Sequence, residues 1–385
     1  MCRFPARRSC PYSSLTMTTK KAGLYIHIPF CEKRCFYCDF FSTTDKNFID
    51  NYVRELVNEI KSIVNKNPDY TLTTIYIGGG TPSLLSVKSF GEIAESVYGD
   101  FYCEIKEFTI EVNPNSAQNL RFYKDFGINR ISLGVQSLND DILKKIGRLH
   151  DAKTAINALD AAANLYENVS ADIILGIDEN QDVISDAKKM LPYVKHLSAY
   201  MLKVEDGTPL QKRLQQRLTS VATEDAVVNQ YEKFYKFCME YGIYRYETSN
   251  FARPGFEGKH NSSYWDMSDY FGIGAGAHSF VNGRRYYNKP DLKSYLEGAH
   301  SGNGEEITER EYSFSDTIEE FIMLSLRTEK GINISEFYKR FNKDFVAEYG
   351  EKLKKTARYV ISENGFVRIR PEFMLVQNGI ISELL

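Results

Sequence analysis

Residues 23–42 read GLYIHIPFCEKRCFYCDFFS, and this stretch decides how the rest of the chain is read. A β-branched run ends at Pro29, which cannot donate to a sheet ladder and turns the chain out of the strand. Cys31, Cys35 and Cys38 follow at once. Thiolates are soft ligands suited to zinc, copper(I) or iron–sulfur clusters. A closed structural zinc site takes four ligands, usually in two close pairs. A ferredoxin run spaces its cysteines by two, two and three residues and sets a proline after the fourth. Here the gaps are three and then two, and Asp39 and Phe40 come next. His27 is a fourth ligand by type, but it lies upstream inside the strand run. Three thiolates on a four-iron cluster leave one iron open, and an open iron can hold a small chelating molecule.

The surrounding chain has the punctuation of an α/β protein. GLYIHIP, TTIYIGGG, EFTIEVNP, RISLGVQ, VSADIILGI and HLSAYML are six strand candidates, mostly separated by helical stretches. In the first of these stretches Phe48, Tyr52, Leu56, Ile60 and Ile63 share one helical face. Strands joined by crossover helices predict a parallel sheet, here an open (β/α)6-type partial TIM barrel. In such barrels the working residues stand at the C-terminal ends of the strands. Cys31, Gly79, Glu111, Gln136 and Asp172 all fall within or just after a strand run. We expect a barrel over 23–205, an additional helical and aromatic-loop region over 206–298, a polar linker, and a small winged-helix-like α+β domain over 313–385. Residues 1–22 read as a disordered extension.

Composition narrows the function classes. The chain has 385 residues and a formal net charge of −3, which gives no reason to expect a nucleic-acid surface. No apolar run is long enough for an integral membrane segment, which leaves peripheral membrane contact open. Seven cysteines, scattered apart from the one tight group, suit a reducing compartment, and the chain is expected to be cytoplasmic. The N-terminus lacks the apolar centre of a secretory signal, and Met17 is expected as a natural start. The alternative is a transit peptide, since the segment is free of acidic residues and carries Arg and Ser.

Further motifs follow in order along the chain. GGGTP, at 78–82, lies after a strand, where glycines let a backbone approach a ligand; read alone it is a turn. Glu111, in EVNP, can accept hydrogen bonds from hydroxyls or an ammonium, or can cap the next segment. Gln136 offers an amide, Arg148 a guanidinium, and Asp172 a charge that is costly in an apolar strand unless partnered. Each of these three also fits a structural role, and Tyr25 and Tyr37 also fit a core.

CEKRCFYC has the CxxxCxxC form, and with YIHIPFC before it the chain resembles the radical S-adenosylmethionine superfamily. Within it, the chain resembles the oxygen-independent coproporphyrinogen III oxidases and their heme-chaperone relatives. The resemblance covers about residues 23–290 and more weakly the remainder. It implies a [4Fe-4S] cluster on Cys31, Cys35 and Cys38, with S-adenosylmethionine on the open iron. It also implies that Tyr25, Tyr37, Gly79, Gly80, Thr81, Glu111, Gln136, Arg148 and Asp172 contact that cofactor, and that an electron donor serves the cluster.

Two features separate the branches of this family. The oxidases carry a further cysteine two residues after the third, and this chain has Phe40 there. KHNSSYW fits the HNxxxW pattern of the HemW-type heme-chaperone branch, which implies a role in heme binding for His260, beside Asn261 and Trp265. By its residues alone His260 reads as a hydrogen-bonded structural histidine. His278, in GAGAHSF, is a conceivable second ligand, although GAGAH also reads as a tight turn. Relatives usually follow the Asp172 strand with a GLPGQ-like loop, and this chain has GIDENQ, so cofactor affinity is expected to differ. The resemblance thus implies a chaperone that binds heme and passes it to apo-hemoproteins, with a homodimer among its states; an oxidase tolerant of Phe40 is the alternative.

Overall fold

The computed structural model describes residues 19–298 and 306–385. β1 (Lys20–Ile28), β2 (Tyr70–Gly79), β3 (Tyr102–Val112), β4 (Arg130–Gln136), β5 (Asn168–Leu175) and β6 (His196–Met201) pair side by side in chain order, all parallel. β1 begins at Lys20, so residues 20–22, read as the end of a disordered extension, are strand. Residues 1–18, with Cys2 and Cys10, lie outside the described residues.

Successive side chains of a strand point to opposite faces, and here the two faces differ in chemistry. Leu24, Ile26 and Ile28 share the outer face with Ile75, Ile77, Phe108, Ile110, Ile131 and Leu133, all buried beneath the helices. The helix Ile49–Lys66 covers them with Tyr52, Val53, Leu56 and Ile60. In the inner row, register places Tyr25 beside Tyr76, Tyr76 beside Thr109, Thr109 beside Arg130 and Glu111 beside Ser132. A parallel strand covered on both faces reads as a continuous apolar run. These strands alternate because their inner face encloses a polar interior.

The region 206–298 continues this sheet on both sides. β7 (Tyr244–Arg245) and β8 (Asn250–Ala252) extend it antiparallel beyond β6, whereas β9 (Tyr270–Ile273) pairs parallel with β1. β10 (His278–Val281), β11 (Arg284–Asn288) and β12 (Glu306–Glu311) follow antiparallel, giving a twelve-stranded sheet among the described residues. β12 occupies the end of the stretch expected to be a polar linker; its sequence, EITERE, is that of a charged, exposed edge strand. Strands of two to six residues are too short for their alternation to be read from sequence.

The C-terminal part runs helix Phe314–Ser325, β13 (Ile332–Asn333), helices Ile334–Phe341 and Phe345–Lys355, then β14 (Val360–Glu363) and β15 (Phe366–Ile369). Its antiparallel sheet has the order β13-β15-β14 and a core built on Phe321, Phe337, Phe345 and Val367. Met267 and Phe280 join that core from the barrel side. Buried Arg245 ties the two parts together: it pairs with Glu329 and donates to the Tyr231 hydroxyl at 2.9 Å and the Pro371 carbonyl at 3.1 Å.

The helix Ile49–Lys66 also pins the β9–β10 turn. Glu59 accepts from the Gly274 N–H (2.9 Å), Asn288 Nδ2 (2.6 Å) and the Tyr295 hydroxyl (2.6 Å). Glu59→Ala leaves three donors without their acceptor and is expected to cost about 2–3 kcal/mol. The check is a urea titration followed by far-ultraviolet circular dichroism, where the variant's midpoint falls below that of the parent.

Candidate functional site

The cysteine loop is closed at its base. Cys31 N–H donates to the Thr43 carbonyl at 2.9 Å and Thr43 N–H to the Pro29 carbonyl at 2.7 Å. His27 Nε2 meets the Phe41 carbonyl at 2.9 Å, and its Nδ1 meets the Tyr25 hydroxyl at 3.0 Å. His27 is therefore committed on both ring nitrogens and is not a fourth thiolate-site ligand. Further along, Phe36 N–H donates to the Ile146 carbonyl, Leu210 N–H to the Phe36 carbonyl, and the Arg213 guanidinium lies 4.9 Å from the Phe36 ring.

Gly79, Gly80 and Thr81 lock onto this base. Gly80 N–H donates to the Ile28 carbonyl and Thr81 N–H to the Phe30 carbonyl, each at 2.8 Å. Gly79 N–H donates to Glu111 Oε2 at 3.1 Å. The N–H groups of Gly79, Gly80 and Thr81 are thus spent within the protein, and the carbonyl oxygens of this turn are acceptors that suit an ammonium group. Gly79 has φ +108°, and a Cβ on it would lie 2.5 Å from the His27 ring. Only glycine fits both the conformation and the gap.

The three thiols stand at the mouth of the barrel, and none is in a disulfide. Burial pushes the Cys31 thiol up and the Cys38 thiol to about 11, and the neighbouring cysteines add to both shifts. The Thr81 hydroxyl lies 3.8 Å from Cys31 Sγ, and Arg148 Nη1 lies 3.6 Å from Cys35 Sγ. Among the described residues no three side chains converge on a single-ion site. Arg148 also donates to the Gly134 carbonyl and leaves its buried Nε without a partner. An open cleft beside the thiols is lined by Cys35, Thr81, Asn113, Ser116, Arg148 and Leu149, among others.

Behind the thiols lies a buried charged layer. Glu111 accepts from the Tyr76 hydroxyl at 2.8 Å, and burial raises its carboxyl to about 7, with Asp172 adding to the rise. Burial raises Asp172 as well, opposed by the Ser198 and Ser132 hydroxyls, Arg130 and Arg148. Gln136 ends β4 at φ +69°, with its buried Oε1 unpartnered. Burial pushes the Tyr37 hydroxyl up, against the pull of Arg148. Thiols for a cluster, acidic groups and carbonyls for an ammonium, a guanidinium for a carboxylate, and orphaned buried amide and guanidinium atoms form a donor set that fits an iron–sulfur cluster with a zwitterionic ligand.

The structure therefore brings Cys31, Cys35, Cys38, Tyr25, Tyr37, Gly79, Gly80, Thr81, Glu111, Gln136, Arg148 and Asp172 to one end of the barrel. It does not bring His260 there. His260 opens the helix Lys259–Trp265, whose Lys259 and His260 N–H groups donate to the Glu107 carboxylate at 2.7 and 3.1 Å. Its ring is fully buried, with Nδ1 on the Thr74 hydroxyl (2.9 Å) and Nε2 on the Tyr264 hydroxyl (2.8 Å). Burial lowers it to about 3. Thr74 precedes Gly79 by five residues, about 16 Å along the strand. In this structure both ring nitrogens of His260 are engaged within the protein and the ring is closed off from solvent, the arrangement of a hydrogen-bonded structural histidine.

Tyr76 and Arg130 are site residues that sequence reasoning missed. Tyr76 stacks on His260 (5.4 Å between centroids), bonds Glu111 and stacks on Tyr25 (6.2 Å). Arg130, fully enclosed, faces Glu107, Tyr76 and Asp172. The signal was present in the period-two alternation of the strands, which puts Tyr25, Tyr76, Glu111 and Arg130 on one face.

Residues 25–191 match the Radical SAM superfamily, and residues 313–375 match the HemN C-terminal domain. The heme chaperone HemW of Lactococcus lactis is 36% identical over 92% of this chain and 94% of its own length. The chain belongs to the HemW family of radical S-adenosylmethionine proteins. The HemW of Bacillus subtilis is 33% identical over 88% of this chain and 92% of its own length. The fold of this chain is similar to that of the coproporphyrinogen III oxidase HemN of Escherichia coli: the two structures align with a TM-score of 0.81 over 95% of this chain and 90% of that one, at 19% identity.

Gly79→Ala is expected to break the seat of the cysteine loop. Anaerobic reconstitution followed by iron and sulfide analysis should give less than half the parent content, with a matching loss of absorbance near 400 nm. The pH response of the ligand-free protein follows from Glu111. Its folded carboxyl titrates near 7 and the ordinary value is 4.5, so between these pH values the folded state holds a proton that the unfolded chain releases. Stability is expected to fall as pH rises through that window and to level off above it. Glu111→Gln should flatten this slope in thermal melts taken from pH 5 to 8.

Proposed function

We infer that this chain is a heme chaperone: it holds a [4Fe-4S] cluster on Cys31, Cys35 and Cys38, binds S-adenosylmethionine beside it, and carries heme for delivery to apo-hemoproteins. The observation that carries the reading is the match to heme chaperones over both the barrel and the C-terminal part, together with Phe40. Phe40 stands where the related oxidases have an additional cysteine, and its side chain is 61% exposed at the mouth of the barrel.

The cluster, when bound, supplies one-electron chemistry at an open iron, drawing on an outside reductant. The chain's own residues hold and orient. Cys31 is buried against Thr81, and Cys35 lies beside the Arg148 guanidinium. The Gly79 and Gly80 carbonyls and the Glu111 and Asp172 carboxyls offer acceptors for the ammonium and hydroxyls of S-adenosylmethionine, and Arg148 offers a partner for its carboxylate. A cationic ligand stabilises the ionised form of Glu111, so binding releases a proton near neutral pH. No helix among the described residues is long and apolar enough to cross a membrane.

The test uses anaerobic protein with its cluster reconstituted. Hemin is titrated into it, and the loaded protein is mixed with an apo-hemoprotein of separable absorbance. A parallel sample receives S-adenosylmethionine, a reductant and coproporphyrinogen III. Hemin binding, transfer to the acceptor and no divinyl product are expected. Accumulation of protoporphyrinogen would overturn the reading in favour of an oxidase.

A further inference from the structure

A protein that carries heme needs an iron ligand that solvent and a macrocycle can reach. Histidine at neutral pH is the commonest metal ligand, and it ligates through an unprotonated ring nitrogen. Five of the six histidines fall among the described residues, and four of those five have buried rings with at least one nitrogen bonded within the protein. His27 and His260 are engaged on both nitrogens, and so is His196, through the Ser170 and Tyr246 hydroxyls. His150 bonds the Val135 carbonyl through Nε2 and buries its other nitrogen. The fifth is His278, with 52% of its side chain exposed.

The setting of His278 is that of a prepared ligand. Its Nδ1 lies 3.4 Å from Glu309 Oε2. Metal-ligating histidines commonly direct the nitrogen that does not bind metal toward a carboxylate, which fixes the ring and raises its basicity. Glu309 reaches this position through a β-bulge: Arg285 pairs with Arg310 and Tyr286 with Thr308, so Glu309 is the unpaired residue of β12. Bulges re-aim side chains, and this one turns a carboxylate across β11 toward β10. Between the two strands, Tyr287 stacks against the imidazole at 4.9 Å and 22° and holds the ring plane.

The position also suits a flat apolar cargo. By register His278 lies on the same side of the sheet as Phe280, Tyr270 and Tyr25. On the intervening strand Gly272 stands at this level, and the backbone of His278 packs directly over it. A methyl at Gly272 would lie 1.9 Å from the His278 carbonyl oxygen, so only glycine lets β9 and β10 approach this closely and fixes the backbone at His278. Partly buried Tyr287 and Ile307, 37% exposed, add apolar surface alongside. The turn before His278 touches the cysteine loop, since a Cβ on Gly276 would lie 3.2 Å from the Phe41 Cβ.

We propose that His278 Nε2 is the axial ligand to heme iron, with its Nδ1–H directed to Glu309 and its ring backed by Tyr287. This rests on the heme-chaperone reading and names its ligand. The experiment is a hemin titration, read by the Soret band and by electron paramagnetic resonance, on the full chain and on His278→Gly, His278→Ala and Glu309→Gln. Both side chains are about half exposed, and circular dichroism checks that the variants fold. His278→Ala is expected to bind hemin at least tenfold more weakly and to lose the nitrogen-ligated spectrum. Added imidazole should restore that spectrum in His278→Gly. Glu309→Gln should retain the ligand, weaken binding by about tenfold, and lower the iron–histidine stretching frequency in the ferrous state. If the parent binds hemin and His278→Ala binds it with the same affinity and spectrum, the ligand assignment is overturned while the chaperone reading stands. If the parent binds no hemin, the chaperone reading fails and the assignment falls with it.

Discussion

One hydrogen bond, between His27 Nε2 and the carbonyl of Phe41, sets the geometry at the mouth of the barrel. It joins the end of β1 to the far side of the cysteine loop, so three thiols on an irregular segment are held against a rigid strand. The bond is possible because Gly79 has no side chain where the imidazole sits. From there the contacts run inward through Gly79 N–H to Glu111, then to Tyr76 and to His260. Loop, glycine turn and polar interior are therefore one packed unit.

That unit explains why the barrel interior is polar at a cost in solvation. Glu111, Asp172, Arg130 and Arg148 lie within reach of one another's charges, and burial raises both carboxyls. Burying charge is unfavourable unless it is paired or serves a ligand. Here hydroxyls from Tyr76, Ser132 and Ser198 offset part of the penalty, and the orphaned atoms of Gln136 and Arg148 remain for a bound group. The HNxxxW segment plays a different part. Its helix closes the lower end of the barrel on Glu107, and His260 supplies the stack on which Tyr76 rests.

The extensions on either side of the barrel divide the remaining work. β7 and β8 carry Arg245, which fastens the C-terminal part through Glu329 and Pro371. β9–β12 widen the sheet beyond β1 and present an open imidazole next to the cysteine loop. The edge is charged and bulged, which discourages strand addition while leaving His278 and Glu309 facing each other.

Much of this was determined by the sequence by itself. The cysteine spacing was legible as three thiols on one short loop directly after a strand. The six β-branched runs separated by helical stretches defined the parallel barrel, since parallel neighbours need crossovers. That Gly79, Glu111, Gln136 and Asp172 stand within or just after strand runs was legible for the same reason. The tertiary structure alone decided the rest. Whether a histidine is a ligand or a brace depends on which hydroxyls reach its nitrogens. Thr74 and Tyr264 make His260 a brace, and Thr74 lies 186 residues away in the chain. Tyr76 and Arg130 became site residues through strand register, and Glu309 met His278 through a bulge in a six-residue strand. Sequence spacing carries local conformation and periodicity, but pairings across a sheet depend on register and on which faces close over one another.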